Sequence, residues 1–175
     1  MNLTYYTNYS LRVVIYLGLH SSALASITQI SAAFGISRNH LVKVVHHLAR
    51  LGFIKTARGR GGGLRLAREP AKINIGDLVR QSEPGFRMVE CFDKARNTCP
   101  LTPVCRLKGI VLEAENAFLG VLDGYSLADL LGPRRAMAEL LGITLDRRAP
   151  LWRSSNHRQV RCRPSRTNGR AVSHA

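Results

Sequence analysis

The chain reads as a mainly α fold with one small β hairpin. Three observations predict it. Apolar residues recur at helical spacing in four separate stretches, between residues 8–20, 27–34, 38–50 and 107–131. Two short β-prone runs flank a glycine-rich turn, and no apolar stretch reaches the roughly 18 to 20 residues that would span a bilayer. The longest greasy run is only Val13 to Leu17.

The first helix is expected from about Asn8 to His20, with Leu11, Val14, Ile15 and Gly18 on its buried face. A second, short helix follows Ser26, carries Ile27, Ile30, Ala33 and Phe34 at helical spacing, and stops at Gly35. Gly35-Ile36-Ser37 is a turn. Ser37 then serves as N-cap of a helix from Arg38 to Arg50, whose Leu41, Val44, Val45 and Leu48 face inward and which Gly52 ends. Two helices joined by a tight glycine-containing turn form a helix-turn-helix. Phe53 to Thr56 and Leu64 to Leu66 are strands, connected by Arg58-Gly59-Arg60-Gly61-Gly62-Gly63, so the hairpin is a wing directly behind that motif. The wing lacks the Lys-Ser/Thr ending of a phosphate-binding loop, which argues against phosphoryl transfer. Farther on, Leu107, Ile110, Val111, Ala114, Phe118, Val121, Leu122 and Tyr125 form one stripe on a helix of about two dozen residues, about 36 Å long. Such a helix is too long to bury inside one small domain.

Charge points to the partner. With 26 Lys+Arg against 11 Asp+Glu, the formal net charge of +15 favours a polyanion, nucleic acid or an anionic membrane. From Asp146 onward eight arginines face one aspartate, which leaves +8 for residues 1–145. Its final part, Trp152 to Ala175, has almost no apolar periodicity, so it is expected to be a disordered basic tail, either a nonspecific nucleic-acid arm or an unselected extension. On the outer face of the second helix of the motif, Arg38, Asn39, His40 and Lys43 crowd the first two turns, the part that enters a major groove. Arg38 suits guanine and Asn39 adenine, whereas Lys43 suits phosphate. Ser37, Arg58, Arg60, Gly61, Gly62 and Arg65 complete the expected DNA contacts, the glycines by letting the backbone come close. His46 and His47 read as structural or surface residues. No Ser, His and Asp set is suggested by spacing, and Glu113 and Glu115 lie on the long helix, so no enzyme is expected.

Cys91, Cys99 and Cys105 lie in a loop-like segment in which Pro100 and Pro103 keep the last two off a continuous helix, so three thiolates can converge as soft ligands. A structural zinc site wants a fourth Cys or His, and none is near: His40, His46 and His47 belong to the reading helix and Cys162 to the tail. Three cysteines suit an iron–sulfur cluster with its fourth ligand from elsewhere. Spacing alone equally admits free buried thiols. The N-terminus, Met1 to Thr4, lacks the basic region and apolar core of a secretion signal, which predicts a cytoplasmic protein without disulfides.

Together these residues carry a resemblance. Leu3-Thr4, Tyr9, Leu11-Arg12, the run from Gly35 to Lys43, Arg58 to Leu66, Ile75-Gly76-Asp77, Cys91, Cys99, Thr102-Pro103, Cys105-Arg106-Leu107 and Tyr125 to Leu130 resemble the Rrf-type winged-helix regulators, and among them the nitric-oxide-sensing repressors. The similarity covers roughly residues 1 to 131 and leaves the tail outside. The resemblance implies a homodimer that binds palindromic double-stranded promoter DNA while it holds an iron–sulfur cluster, 4Fe–4S or 2Fe–2S, and lets go when nitric oxide attacks. It places the cluster on Cys91, Cys99 and Cys105. Relatives offer an aspartate of the partner subunit as fourth ligand; here that position is Asn8, a far weaker iron ligand, and an iron-responsive relative also carries Asn there. The assembly-regulating branch has a histidine where this chain has Lys108, which disfavours it.

The expected organisation is thus a winged helix-turn-helix DNA-binding domain over 1–80, a cysteine-bearing loop over 81–106, a dimerisation helix over 107–131, a C-terminal segment over 132–150 and a basic tail over 151–175. The expected function is nitric-oxide-sensing transcriptional repression. The alternatives are an iron-availability regulator of the same fold, or a winged-helix DNA binder with zinc or no metal. A small iron–sulfur electron carrier would have no use for Arg38, Asn39 and a glycine wing.

Overall fold

The computed structural model describes residues 2–145 apart from 22, 60, 84 and 86–88. Arg60, Cys162 and the whole basic tail lie outside the described residues.

Helix α1 (Tyr5–Leu19) is the centre of the fold and touches α2, α3, α4, β2 and α6, whose ranges follow. It starts three residues before the expected Asn8, because Thr4 is its cap and accepts the Thr7 N–H. The single expected face is also too narrow. Val13, Val14, Tyr16, Leu17, Gly18 and Leu19 are all buried, whereas Leu11 and Ile15 are only half-buried, as suits a helix surrounded by neighbours.

Helices α2 (Ile27–Phe34) and α3 (Arg38–Arg50) stand where the sequence puts them. Ser26 and Gln29 form a reciprocal capping box at the start of α2. Gly35 ends it at φ 63°, the left-handed conformation in which a side chain would be strained. Ser37 caps α3 by accepting the His40 N–H, and Leu41, Val44, Val45 and Leu48 are buried as expected.

The wing pairs β1 (Ile54–Ala57) with β2 (Gly63–Leu66) antiparallel, Ile54 opposite Leu66 and Ala57 opposite Gly63. Phe53, expected in the first strand, instead stands just before it, fully buried under the hairpin. A third partner was not expected: Ala25, before α2, exchanges both backbone hydrogen bonds with Leu64, at 3.0 and 2.8 Å. One paired residue has no periodicity for a sequence to display. The turn closes so tightly that a Cβ on Gly62 would stand 2.4 Å from the Ala57 carbonyl oxygen and 2.9 Å from that of Gly59.

Beyond a single 3-10 turn, Pro70–Lys72, helix α4 (Ile75–Ser82) buries Ile75, Leu78 and Val79 under an Asn74 cap. The cysteine segment follows, then α5 (Arg106–Asp123), α6 (Leu127–Leu130) and α7 (Arg134–Leu140).

The long helix needs correcting. It has 18 residues, about 27 Å, and stops at Asp123 instead of running on toward Leu131. Its end is tied to α4: Asn74 Nδ2 donates to the Asp123 carbonyl at 2.7 Å, Ile75 N–H to Tyr125 and Leu127 N–H to Ile73. Arg80 adds a two-pronged ion pair with the Asp123 carboxylate at 2.5 and 2.6 Å. The Ser126–Asp129 capping box then restarts the chain as α6. The stripe divides accordingly. Phe118, Leu122 and Tyr125 pack on the chain's own core beside buried Leu119, while Leu107, Ile110 and Val121 remain 58%, 61% and 54% exposed.

Candidate nucleic-acid interface and cysteine segment

Arg38, Asn39, His40 and Lys43 are exposed on the first two turns of α3, beside equally exposed Val42. Ser37 is exposed too, but its hydroxyl oxygen is occupied as the helix cap. α1 braces this helix. The Tyr6 hydroxyl donates to the Lys43 carbonyl at 3.2 Å, and the Tyr6 ring meets His47 edge-on at 5.4 Å. Tyr9 lies against His40, their ring centroids 6.1 Å apart. His47 reaches the Gln81 carbonyl of α4 at 3.2 Å, a structural role, and His46 points to solvent.

On the wing, Lys55 and Arg65 stand directly opposite each other and both are exposed, as are Arg58 and Gly61, while Gly62 is half-buried in the turn. The ion pairs Lys72–Glu69 and Arg80–Asp123 involve none of these surface cations. Arg38, Lys43, Arg58 and Arg65 therefore carry charge that no carboxylate of the described chain neutralises, the condition for phosphate contacts. Helix and wing present their cations on projecting elements, and the brace through Tyr6 and Tyr9 fixes the helix that would enter the groove. Those tyrosines were not anticipated, although their spacing near the start of α1 was visible.

The three cysteines are free thiols, each half-buried. Cys91 lies in a 3-10 turn, Glu90–Phe92, and Cys105 is the residue before the first turn of α5. Cys99 is held by its backbone: its N–H donates to Asn97 Oδ1 at 3.2 Å and its carbonyl accepts from Thr102 Oγ1 at 2.8 Å. Glu90 receives both the hydroxyl and the N–H of Thr98, and these bonds, the hydroxyl first, hold its carboxyl below the usual carboxylate range. Asn8 is exposed on α1.

An iron–sulfur group needs soft, deprotonatable donors free of other bonds, and three uncommitted, half-exposed thiols on one short segment fit that chemistry. Their placement does not yet converge. Among the described residues no three His, Cys, Asp or Glu side chains gather closely enough to hold a metal ion. The expected meeting of three sulfurs is thus not present in the single chain.

The segment is anchored where it leaves α4. Glu83 Oε2 accepts from Thr4 N–H at 3.1 Å, Thr4 Oγ1 at 3.1 Å and Thr7 Oγ1 at 2.5 Å, and buried Ser82 bonds Thr7 in turn. A carboxylate thus caps the start of α1. Nothing in the sequence marked Glu83, because its partners are about 76 to 79 residues away.

The Rrf2 family model, described as an iron-dependent transcriptional regulator, matches residues 3–133. The HTH-type transcriptional regulator NsrR of Bacillus subtilis (strain 168) is 49% identical over 142 residues, which cover 81% of this chain and 97% of that one. Its namesake from Geobacillus kaustophilus (strain HTA426) is 52% identical with the same coverage. Among solved structures, T. potens IscR matches with a TM-score of 0.60 at 24% identity, covering 76% of this chain and 88% of that chain, a likeness of fold.

Proposed function

The chain belongs to the Rrf2 family of transcriptional regulators, and from that premise we propose a cytoplasmic, homodimeric repressor of double-stranded promoter DNA that senses nitric oxide through an iron–sulfur group. The observation that carries the reading is the joining, in one chain, of an unneutralised basic reading surface on α3 and the wing to a segment with three free thiols. Cys91, Cys99 and Cys105 would hold the group, with the partner subunit's Asn8 as a weak fourth ligand. Bound there, the group would supply thiolate-ligated iron, which reacts readily with small diatomic molecules.

The chain's own residues do the rest. Arg38 and Asn39 read base edges, Lys43, Arg58 and Arg65 hold phosphates, and Tyr6 with Tyr9 keeps α3 seated on α1. Leu107, Ile110 and Val121 form the surface a second copy covers, which spaces two reading heads on a palindrome. Among the described residues no helix is long and apolar enough to cross a membrane. Asn8 and the family's iron-dependent description favour iron availability as a second signal reading.

The test is a visible spectrum of anaerobically isolated protein, paired with binding to its own promoter, before and after nitric oxide. A chromophore and DNA affinity that vanish together within a few equivalents support the proposal. Loss of affinity under mild chelation without nitric oxide supports the iron reading. Retention of DNA after the chromophore is destroyed overturns both.

A further inference from the structure

The exposed side chains of α3 are polar with one exception. Arg38, Asn39, His40, Lys43, His46 and Arg50 are exposed there, and Val42 stands among them with 52% of its surface in solvent. Its neighbours three and four positions away on the helix are Arg38, Asn39 and His46, all exposed, so it lies within the group assigned to base edges. The flank that packs on the core is a different one, made of Leu41, Val44, Val45 and Leu48.

Neither burial nor helix formation accounts for a valine at that position. The core is complete without it, and a β-branched residue is a poorer helix former than the Ala, Lys or Arg that suit an exposed site. What valine supplies is a stiff apolar knob, because in a helix its side chain keeps one rotamer about nine times in ten. The backbone that carries it is held as well, since the Tyr6 hydroxyl donates to the carbonyl of the next residue, Lys43, at 3.2 Å. A major groove offers such a knob one apolar partner. The base edges there present hydrogen-bond donors and acceptors, and the C5-methyl group of thymine is the exception. Set against any other edge, an apolar side chain displaces water without replacing its hydrogen bonds. Three residues of helix rise about 4.5 Å, a little more than the roughly 3.4 Å between base pairs, so Val42 falls about one base pair from the pair met by Asn39.

We infer that Val42 is a specificity-determining residue of the reading helix, which packs its methyl groups on the C5-methyl of a thymine next to the base pair met by Asn39. The inference rests on the proposed use of α3 to read promoter DNA, and it adds an apolar contact to the hydrogen bonds of Arg38 and Asn39.

The test compares anaerobically isolated full-length protein with its Val42→Ala variant on duplexes of its own promoter. Each thymine is replaced in turn by deoxyuridine, which pairs identically and lacks only the methyl group, and fluorescence anisotropy reads the affinities. In wild type one thymine per half-site should be sensitive, its replacement weakening binding about fourfold, and about 15-fold when both half-sites are changed. Val42→Ala should bind the thymine duplex about as weakly as wild type binds the deoxyuridine duplex, and should lose less than about twofold more on deoxyuridine. Alanine is a good helix former at an exposed position, and an unchanged circular-dichroism melt checks that the variant is folded. If wild type binds every deoxyuridine duplex as tightly as the thymine duplex, or if Val42→Ala keeps the fourfold loss, the inference is overturned and α3 reads through Arg38 and Asn39 without it. A wild-type chain that binds no promoter duplex overturns the proposed function, and this inference with it.

Discussion

Removing the Glu83 carboxylate tests whether the start of α1 and the root of the cysteine segment are one unit. One oxygen accepts three hydrogen bonds, from Thr4 N–H, Thr4 Oγ1 and Thr7 Oγ1, at 3.1, 3.1 and 2.5 Å. A hydrogen bond to a charged group contributes about 1.5 to 3 kcal/mol net, and three that share an oxygen do not add. The fully buried Thr7 hydroxyl would keep only the long contacts with Ser82 and with the Thr4 hydroxyl, both at 3.3 Å. Glu83→Ala should therefore destabilise the fold by about 2 to 4 kcal/mol. Glu83→Gln keeps an acceptor without charge and should cost about 1 kcal/mol. The assay is urea denaturation with far-ultraviolet circular dichroism, comparing midpoints at constant slope. In a cycle with Thr7→Val the two losses should fall short of additivity by about 1 kcal/mol or more. A Glu83→Ala midpoint equivalent to less than about 0.5 kcal/mol, or strict additivity, would refute the network as a stabilising unit.

Four further outcomes are expected. Alanine at Cys91, Cys99 or Cys105 should abolish the visible chromophore of anaerobic protein, whereas Cys162→Ala should leave it; equal bleaching would break the ligand assignment. Arg38→Ala or Asn39→Ala should cost about 1 to 3 kcal/mol on the specific promoter site and relax base preference, as fluorescence anisotropy against mutated duplexes would read. Gly62→Ala must open the wing turn, since its Cβ would collide with backbone on two sides, and should lower DNA affinity far more than Gly61→Ala, where the only obstacle is φ 81° in open space. Arg80 holds the Asp123 carboxyl below its usual range, first by hydrogen bonding, so its contribution is complete above about pH 4 and disappears as pH falls through the lowered value; the melting-temperature gap between wild type and Asp123→Asn should close on acidification and shrink with salt, because the pair is exposed.

The parts legible in the sequence are those whose cause is local. Ser37, Gly35 and the spacing of Leu41, Val44 and Leu48 lie within 14 residues, and each acts on its own turn of backbone. The wing was legible because glycines and β-prone residues alternate over a dozen positions. What escaped depends on distant partners. Thr4 was missed as a cap, and Glu83, which completes it, bonds across nearly half the chain. Ala25 joins the wing through backbone alone. The end of α5 was misread because Tyr125 continues the apolar period, and only the tie to Asn74 and Ile75 shows that the helix has already stopped. For the site, α3 and the wing present the expected residues, but periodicity contains nothing about whether Cys91, Cys99 and Cys105 meet.

The way α5 is fastened has a mechanical consequence. One end is clamped to α4 by Asn74, Ile75 and Arg80, while the other begins at Cys105. The helix between them is a lever about 27 Å long. A displacement of about 1 Å at Cys105, transverse to the helix, amounts to a rotation of about 2° at the clamp. On the proposed function, a change of ångström size at the sulfurs would reach the clamped end of this arm as a rotation of a few degrees, the scale on which two reading heads would gain or lose a palindrome.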